Sequence, residues 1–104
     1  MSAVRERLPN RRASKTFALE CNGLHYLATV SQFANGRLAE IFISNAKVGS
    51  HSDAAAKDSA VVASIALQHG VRVNVIRHAL LRDAQGKASS PLGVALDVVA
   101  EQLL

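Results

Sequence analysis

The stretch from Thr16 to Ser44, TFALECNGLHYLATVSQFANGRLAEIFIS, decides the fold. Phe17, Leu19 and Cys21 alternate with Thr16, Ala18 and Glu20, which is the period of a strand with one buried face. Asn22-Gly23 follows, and then Leu24, Tyr26, Ala28 and Val30 alternate in the same way. Asn-Gly between two alternating runs predicts a tight hairpin, because a type I′ turn needs positive φ at both central residues. A second Asn-Gly, Asn35-Gly36, separates this strand from a third over Arg37–Ser44. Leu38, Ile41, Phe42 and Ile43 make that strand apolar enough to be nearly buried on both faces. Three strands joined by two such turns give an antiparallel meander.

Downstream the period changes. Asn45 to Ser52 is a polar connection, and a helix is expected from Asp53 to Gln68 with Ser52 as its N-cap, Asp53 at the positive end of the dipole and Gly70 beyond its end. Ala54, Ala55, Ala56, Ala60, Ala63 and Ala66 suit close packing on the sheet, while Lys57, Ser64 and Gln68 form a narrow polar stripe. Val73–Leu81 reads as a shorter helix and Arg82–Ser89 as a loop. Ser90-Pro91 reads as an N-cap followed by a proline at the first helical position. The helix it opens carries an apolar stripe of Leu92, Ala95, Leu96, Val99 and Leu103. Strands first and helices after predict an α+β domain: a three-stranded antiparallel meander followed by three helices packed on one face (β-β-β-α-α-α).

The chain has 104 residues and a net charge of +4. Residues 1–15 hold Arg5, Arg7, Arg11, Arg12 and Lys15 against Glu6, and the remaining basic and acidic residues balance. The charge therefore belongs to an N-terminal arm, 1–15, and the body, 16–104, is a neutral single domain. A neutral body argues against a broad nucleic-acid face. Arg5, Arg7, Arg11 and Arg12 are a candidate contact for nucleic acid or for an acidic partner surface. The single cysteine, Cys21, has no internal disulfide mate. That cysteine usage and the lack of a long apolar run imply a cytoplasmic protein with no membrane partner.

Four segments together resemble a known family. They are Arg5-Glu6-Arg7-Leu8-Pro9-Asn10-Arg11-Arg12, Gly36–Ile43 running into Lys47-Val48-Gly49-Ser50, Ser64–Val71, and Ala88-Ser89-Ser90-Pro91-Leu92. In this order they resemble the TSCPD domain near the C-terminus of adenosylcobalamin-dependent (class II) ribonucleotide reductases, over nearly the whole chain. The resemblance implies an accessory or binding role related to deoxyribonucleotide synthesis, with a reductase large subunit as partner. In those enzymes the stretch matching the arm links the domain to the catalytic barrel. Ser90 and Leu92 stand where the family's Thr-Ser-Cys-Pro-Asp run has Cys and Asp, so a thiol role there is lost while the helix start survives. Arg72 stands where proline is usual. Adenosylcobalamin belongs to the full-length enzymes, and no cofactor is expected in this chain.

Ribonucleotide reduction, as the resemblance implies it, uses a radical-forming cysteine and a reducing dithiol. One cysteine, on a strand and facing as Phe17 and Leu19 do, cannot supply both, and is expected to pack as a small hydrophobe. His25, His51, His69 and His78 show no ligand spacing, so no metal is expected. Ser64 lies in no nucleophile elbow. Lys47, Gly49, Ser50 and Ser52, leading into a helix, are a candidate anion or nucleotide site, because helix-start amides and a lysine suit a phosphate. The alternative is an ordinary strand-to-helix connection. Glu40, in an apolar strand, either faces a pocket or pairs with a basic neighbour. Two open sheet edges invite self-association, so a homodimer through an edge strand or the Ala-rich helix is expected.

Overall fold

The computed structural model describes residues 4–8, 13–47 and 49–103. β1 (Ser14–Cys21), β2 (Leu24–Gln32) and β3 (Leu38–Asn45) form one antiparallel sheet in the order β1-β2-β3, followed by α1 (His51–Gln68), α2 (Val73–Ala79) and α3 (Pro91–Gln102). This is the α+β arrangement that the sequence pattern predicts.

The two Asn-Gly steps build different turns. Asn22 (φ 53°) and Gly23 (φ 78°) are both left-handed, and Cys21 pairs directly with Leu24. At the second step only Gly36 (φ 87°) is left-handed. There the Gly36 amide donates to the Phe33 carbonyl (2.9 Å), Phe33 N donates to Arg37 O (2.8 Å), and the register shifts at Ser31/Gln32. This is a longer turn closed by a glycine bulge, and it lets Phe33 fold back into the interior.

One face of the sheet carries Leu19, Cys21, Tyr26, Ala28, Val30, Ile41 and Ile43. These pack with Ala56, Ala60, Ala63 and Leu67 of α1 and with Leu92, Ala95, Leu96 and Val99 of α3. The core is almost wholly aliphatic, as expected of helices that approach a sheet through alanines. The opposite face is open: Leu27 and Phe42 are half exposed. β3 is nonetheless buried along most of its length, as its apolar sequence predicts: Phe42 is its exposed residue and Ser44 is half-buried.

The helix boundaries bring two corrections. α1 begins at His51, and its N-cap is Ser50, not Ser52: Ser50 Oγ accepts from the Asp53 amide (3.1 Å). Starting there places Asp53 where its carboxylate can reach back over the turn. α2 ends at Ala79 instead of Leu81, and the loop after it contains a small hairpin with a bridge between Arg82 and Ala88. α3 begins as the Ser-Pro step predicts, with Ser90 Oγ accepting from the Gly93 amide (3.2 Å). A Cβ on Gly93 would lie 2.9 Å from the Ala88 Cβ. That glycine permits α3 to sit tightly against the hairpin.

Two of the three residues in the polar stripe of α1 face inward, and Lys57 is exposed. Ser64 and Gln68 are buried, whereas Val61, Val62 and Ile65 are exposed. The cause is the free edge of β3, whose outward backbone groups need partners in a water-poor site. Ser64 Oγ accepts from the Ile41 amide and donates to the Ile41 carbonyl, both at 2.9 Å. Gln68 Nε2 donates to the Ala39 carbonyl (3.0 Å), and Asp53 Oδ1 accepts from the Asn45 amide (2.9 Å). α1 thus completes the edge of β3 with side chains, and that edge is not open to another strand.

Candidate functional site

The turn before α1 is built around Asp53. Its carboxylate, almost fully buried, accepts from the amides of Asn45 and Gly49 (2.9 and 3.1 Å) and pairs with Lys57 Nζ at 2.8 Å. The Lys57 bond, followed by those two amides, holds its pKa down at about 2. Lys47 contributes its carbonyl to Ser50 Oγ (2.9 Å), and its amide donates to Asn45 Oδ1 (2.8 Å). Lys47 and Gly49 are exposed, whereas Ser50 and Ser52 are half-buried. Ser52 turns away, into a cleft of about 400 Å³ shared with Cys21, Tyr26, His51, Ser90 and Pro91. The structure therefore separates Ser52 from the other three residues, and a carboxylate already holds the Gly49 amide that a phosphate would seek. Any anion arriving there would meet Asp53 at close range.

The arm is partly docked. The Glu6 amide donates to the Gln68 carbonyl (2.7 Å), Arg5 Nε donates to Gln68 Oε1, and Glu6 pairs with Arg37, whose guanidinium lies 4.5 Å from the Phe33 ring centroid. Arg5 and Arg7 line a cleft with Glu6, Leu8, Glu40 and Gln68. Glu40 is buried on that side and lines the cleft. Arg11 and Arg12 lie outside the described residues, as does Val48 in the turn.

Cys21 is buried at the end of β1, and burial pushes its thiol pKa up, with the Lys87 ammonium opposing in second place. That keeps the sulfur a neutral thiol. It stands at the wall between the Ser52 cleft and a more polar cleft of about 620 Å³ formed with Glu20, Asn22, Lys87 and Ser89. Asn22 Nδ2 ties the β1–β2 turn to the Ser89 carbonyl (3.3 Å). The Ala88–Leu92 run is therefore the start of α3 and the seam between that helix and the sheet. Among the described residues no three His, Cys, Asp or Glu side chains gather as a metal site, and no helix is long and apolar enough to cross a membrane.

A second polar centre was not foreseen from the sequence. Asp97 on α3 accepts from Arg82 through both oxygens (2.8 and 2.7 Å) and from Arg77 Nε (3.0 Å). These bonds, that of Arg82 foremost, hold its carboxyl at about 2. The spacing of 77, 82 and 97 carries no local signal. Only the hairpin at Arg82–Ala88 brings the three together.

No protein-family model matches the chain, and no solved structure matches it. Among curated proteins it is similar to the vitamin B12-dependent ribonucleotide reductase of Agrobacterium fabrum (strain C58 / ATCC 33970), 37% identical over 71 residues. The match covers 68% of this chain and 6% of that enzyme. The chain is thus related to a small part of a much longer reductase.

Proposed function

We propose that this chain is a binding module of the TSCPD type that acts with a B12-dependent ribonucleotide reductase in deoxyribonucleotide synthesis and performs no reduction of its own. The observation that carries the reading is the 37% identity to a segment amounting to 6% of such an enzyme. The single buried thiol adds to it: reduction of a ribonucleotide consumes two electrons, and one sulfur held neutral in a core has no mate with which to deliver them. The domain's assets are surfaces: the docked arm, the apolar outer face of the sheet and the exposed side of α1.

The nucleic-acid and nucleotide-sensing readings gain no comparable support. Arg5 is bonded to Gln68, and Asp53 holds the Gly49 amide at the turn. The test is affinity capture of the tagged chain from its source cell, followed by identification of what co-elutes. A reductase large subunit in stoichiometric amount is the expected result. Recovery of nucleic acid in place of the reductase, lost on deleting residues 1–15, would overturn it.

A further inference from the structure

The chain carries the pair Asn-Gly twice, and the fold treats the two copies differently. An asparagine followed by glycine can modify itself. The glycine nitrogen, on losing its proton, attacks the asparagine Cγ. The side-chain nitrogen leaves as ammonia, and a five-membered succinimide closes. Water then opens the ring at either carbonyl, giving aspartate by one route and isoaspartate by the other. Glycine favours the step because no side chain hinders its nitrogen. Asn22, Gly23, Asn35 and Gly36 are all exposed. Water therefore reaches both pairs, and the turn around each decides.

Ring closure brings the glycine nitrogen onto Cγ, and a tight turn must open locally for that. At Asn35-Gly36 much stands in the way. The Gly36 amide donates to the Phe33 carbonyl (2.9 Å), the Gly36 carbonyl accepts from Gln32 Nε2 (2.6 Å), and Asn35 Oδ1 accepts from the Arg37 amide (3.0 Å). Phe33 beside it is buried, with the Arg37 guanidinium stacked on its ring. At Asn22-Gly23 the Gly23 amide makes no hydrogen bond among the described residues. The Asn22 side chain makes one, the long bond from Nδ2 to the Ser89 carbonyl (3.3 Å). The nucleophile there is free, and the group it attacks is held by a single bond.

We infer that Asn22 is a site of spontaneous deamidation, that the second turn protects Asn35 from the same reaction, and that modification at Asn22 releases the β1–β2 turn from the start of α3. An aspartate has no N–H to give the Ser89 carbonyl, and its charge falls beside Glu20 in the same cleft. Isoaspartate does more: it adds a methylene to the main chain between Cys21 and Leu24, which pair directly across a turn of two residues. That turn sits where the buried Cys21 meets the Ala88–Ser90 seam.

Incubation of the full chain at mildly alkaline pH, folded and in urea, tests this. Chymotryptic peptides separate the two sites by cleavage at Tyr26, and mass spectrometry reads each. In the folded chain Asn22 is expected to convert roughly tenfold faster than Asn35, since each bond that opening must break slows it. In urea the two rates should converge. Equal rates in the folded chain overturn the inference. A difference that persists in urea also overturns it, because the cause would then lie in the neighbouring residues. Asn22→Gly keeps a turn pair suited to the hairpin but cannot deamidate. Its thermal midpoint is expected to survive the incubation, while that of the unsubstituted chain falls as Asn22 is consumed. An unsubstituted chain whose midpoint holds after conversion overturns the release of the seam.

Discussion

α1 and α2 are fastened to the domain in opposite ways. α1 buries polar side chains: Asp53, Ser64 and Gln68 all sit against the edge of β3 and are hydrogen-bonded to its backbone. α2 buries no residue fully, and it is held by the half-buried Val73 and Ile76 and by the reach of Arg77 to Asp97. In the first case the buried groups have no water to fall back on, so each bond is costly to lose. In the second, water can replace whatever is broken. The contrast teaches that a polar residue on a helix is to be weighed by the backbone it meets, not by its own polarity.

The largest effect should come from Asp53→Ala, which strands the Asn45 and Gly49 amides and the Lys57 ammonium together. A fall of about 15 °C or more in the thermal midpoint is expected, read by circular dichroism. Asp53→Asn keeps an acceptor and should lie well above it. Ser64→Ala removes both partners of Ile41 and is expected to lose about 1–3 kcal/mol, measured by urea unfolding with an unchanged m-value. A loss no greater than at an exposed serine would break the comparison from the α1 side.

Acid should reveal both fastenings at once. Asp53 and Asp97 have folded pKa values of about 2 against an ordinary 3.8. In that window the unfolded chain binds more protons than the folded one, so stability rises with pH. Their contribution is fully present above the unfolded value and is lost as pH falls through 3.8 toward 2. A urea series between pH 5 and pH 2 checks this, and Asp53→Asn should flatten the slope. The smallest effect is expected for Asp97→Asn at neutral pH, about 1 kcal/mol, because the cluster is a quarter exposed and water screens it. A loss as large as that of Ser64→Ala would break the comparison from the α2 side.

The strands, the first hairpin and the start of α3 were legible because their signals are local. Asn22-Gly23 dictates a left-handed pair, and Ser90-Pro91 presents an acceptor and a preset φ side by side. The inward side of α1 was not legible as such. Ser64 and Gln68 have the look of a solvent stripe until it is known that β3 runs alongside with unpaired amides. A trace of that arrangement is in the sequence: Asp53, Ala60, Ser64 and Gln68 share one side, while Val61, Val62 and Ile65 share the other. The more polar of the two sides is the inner one. The candidate turn was legible as a helix start, but not as one whose Gly49 amide goes to the chain's own carboxylate. Asp53 was credited to the dipole alone. The Arg77–Arg82–Asp97 cluster depends on a hairpin with no strong turn pair of its own.

The measurement that bears most directly on this account is deoxyribonucleotide formation, followed with adenosylcobalamin and a dithiol present, by the chain alone, by the B12-dependent reductase of the same cell alone, and by the two mixed. No product from the chain and an altered rate in the mixture are expected. Turnover by the chain unaided, or a mixture indistinguishable from the reductase alone, would contradict it.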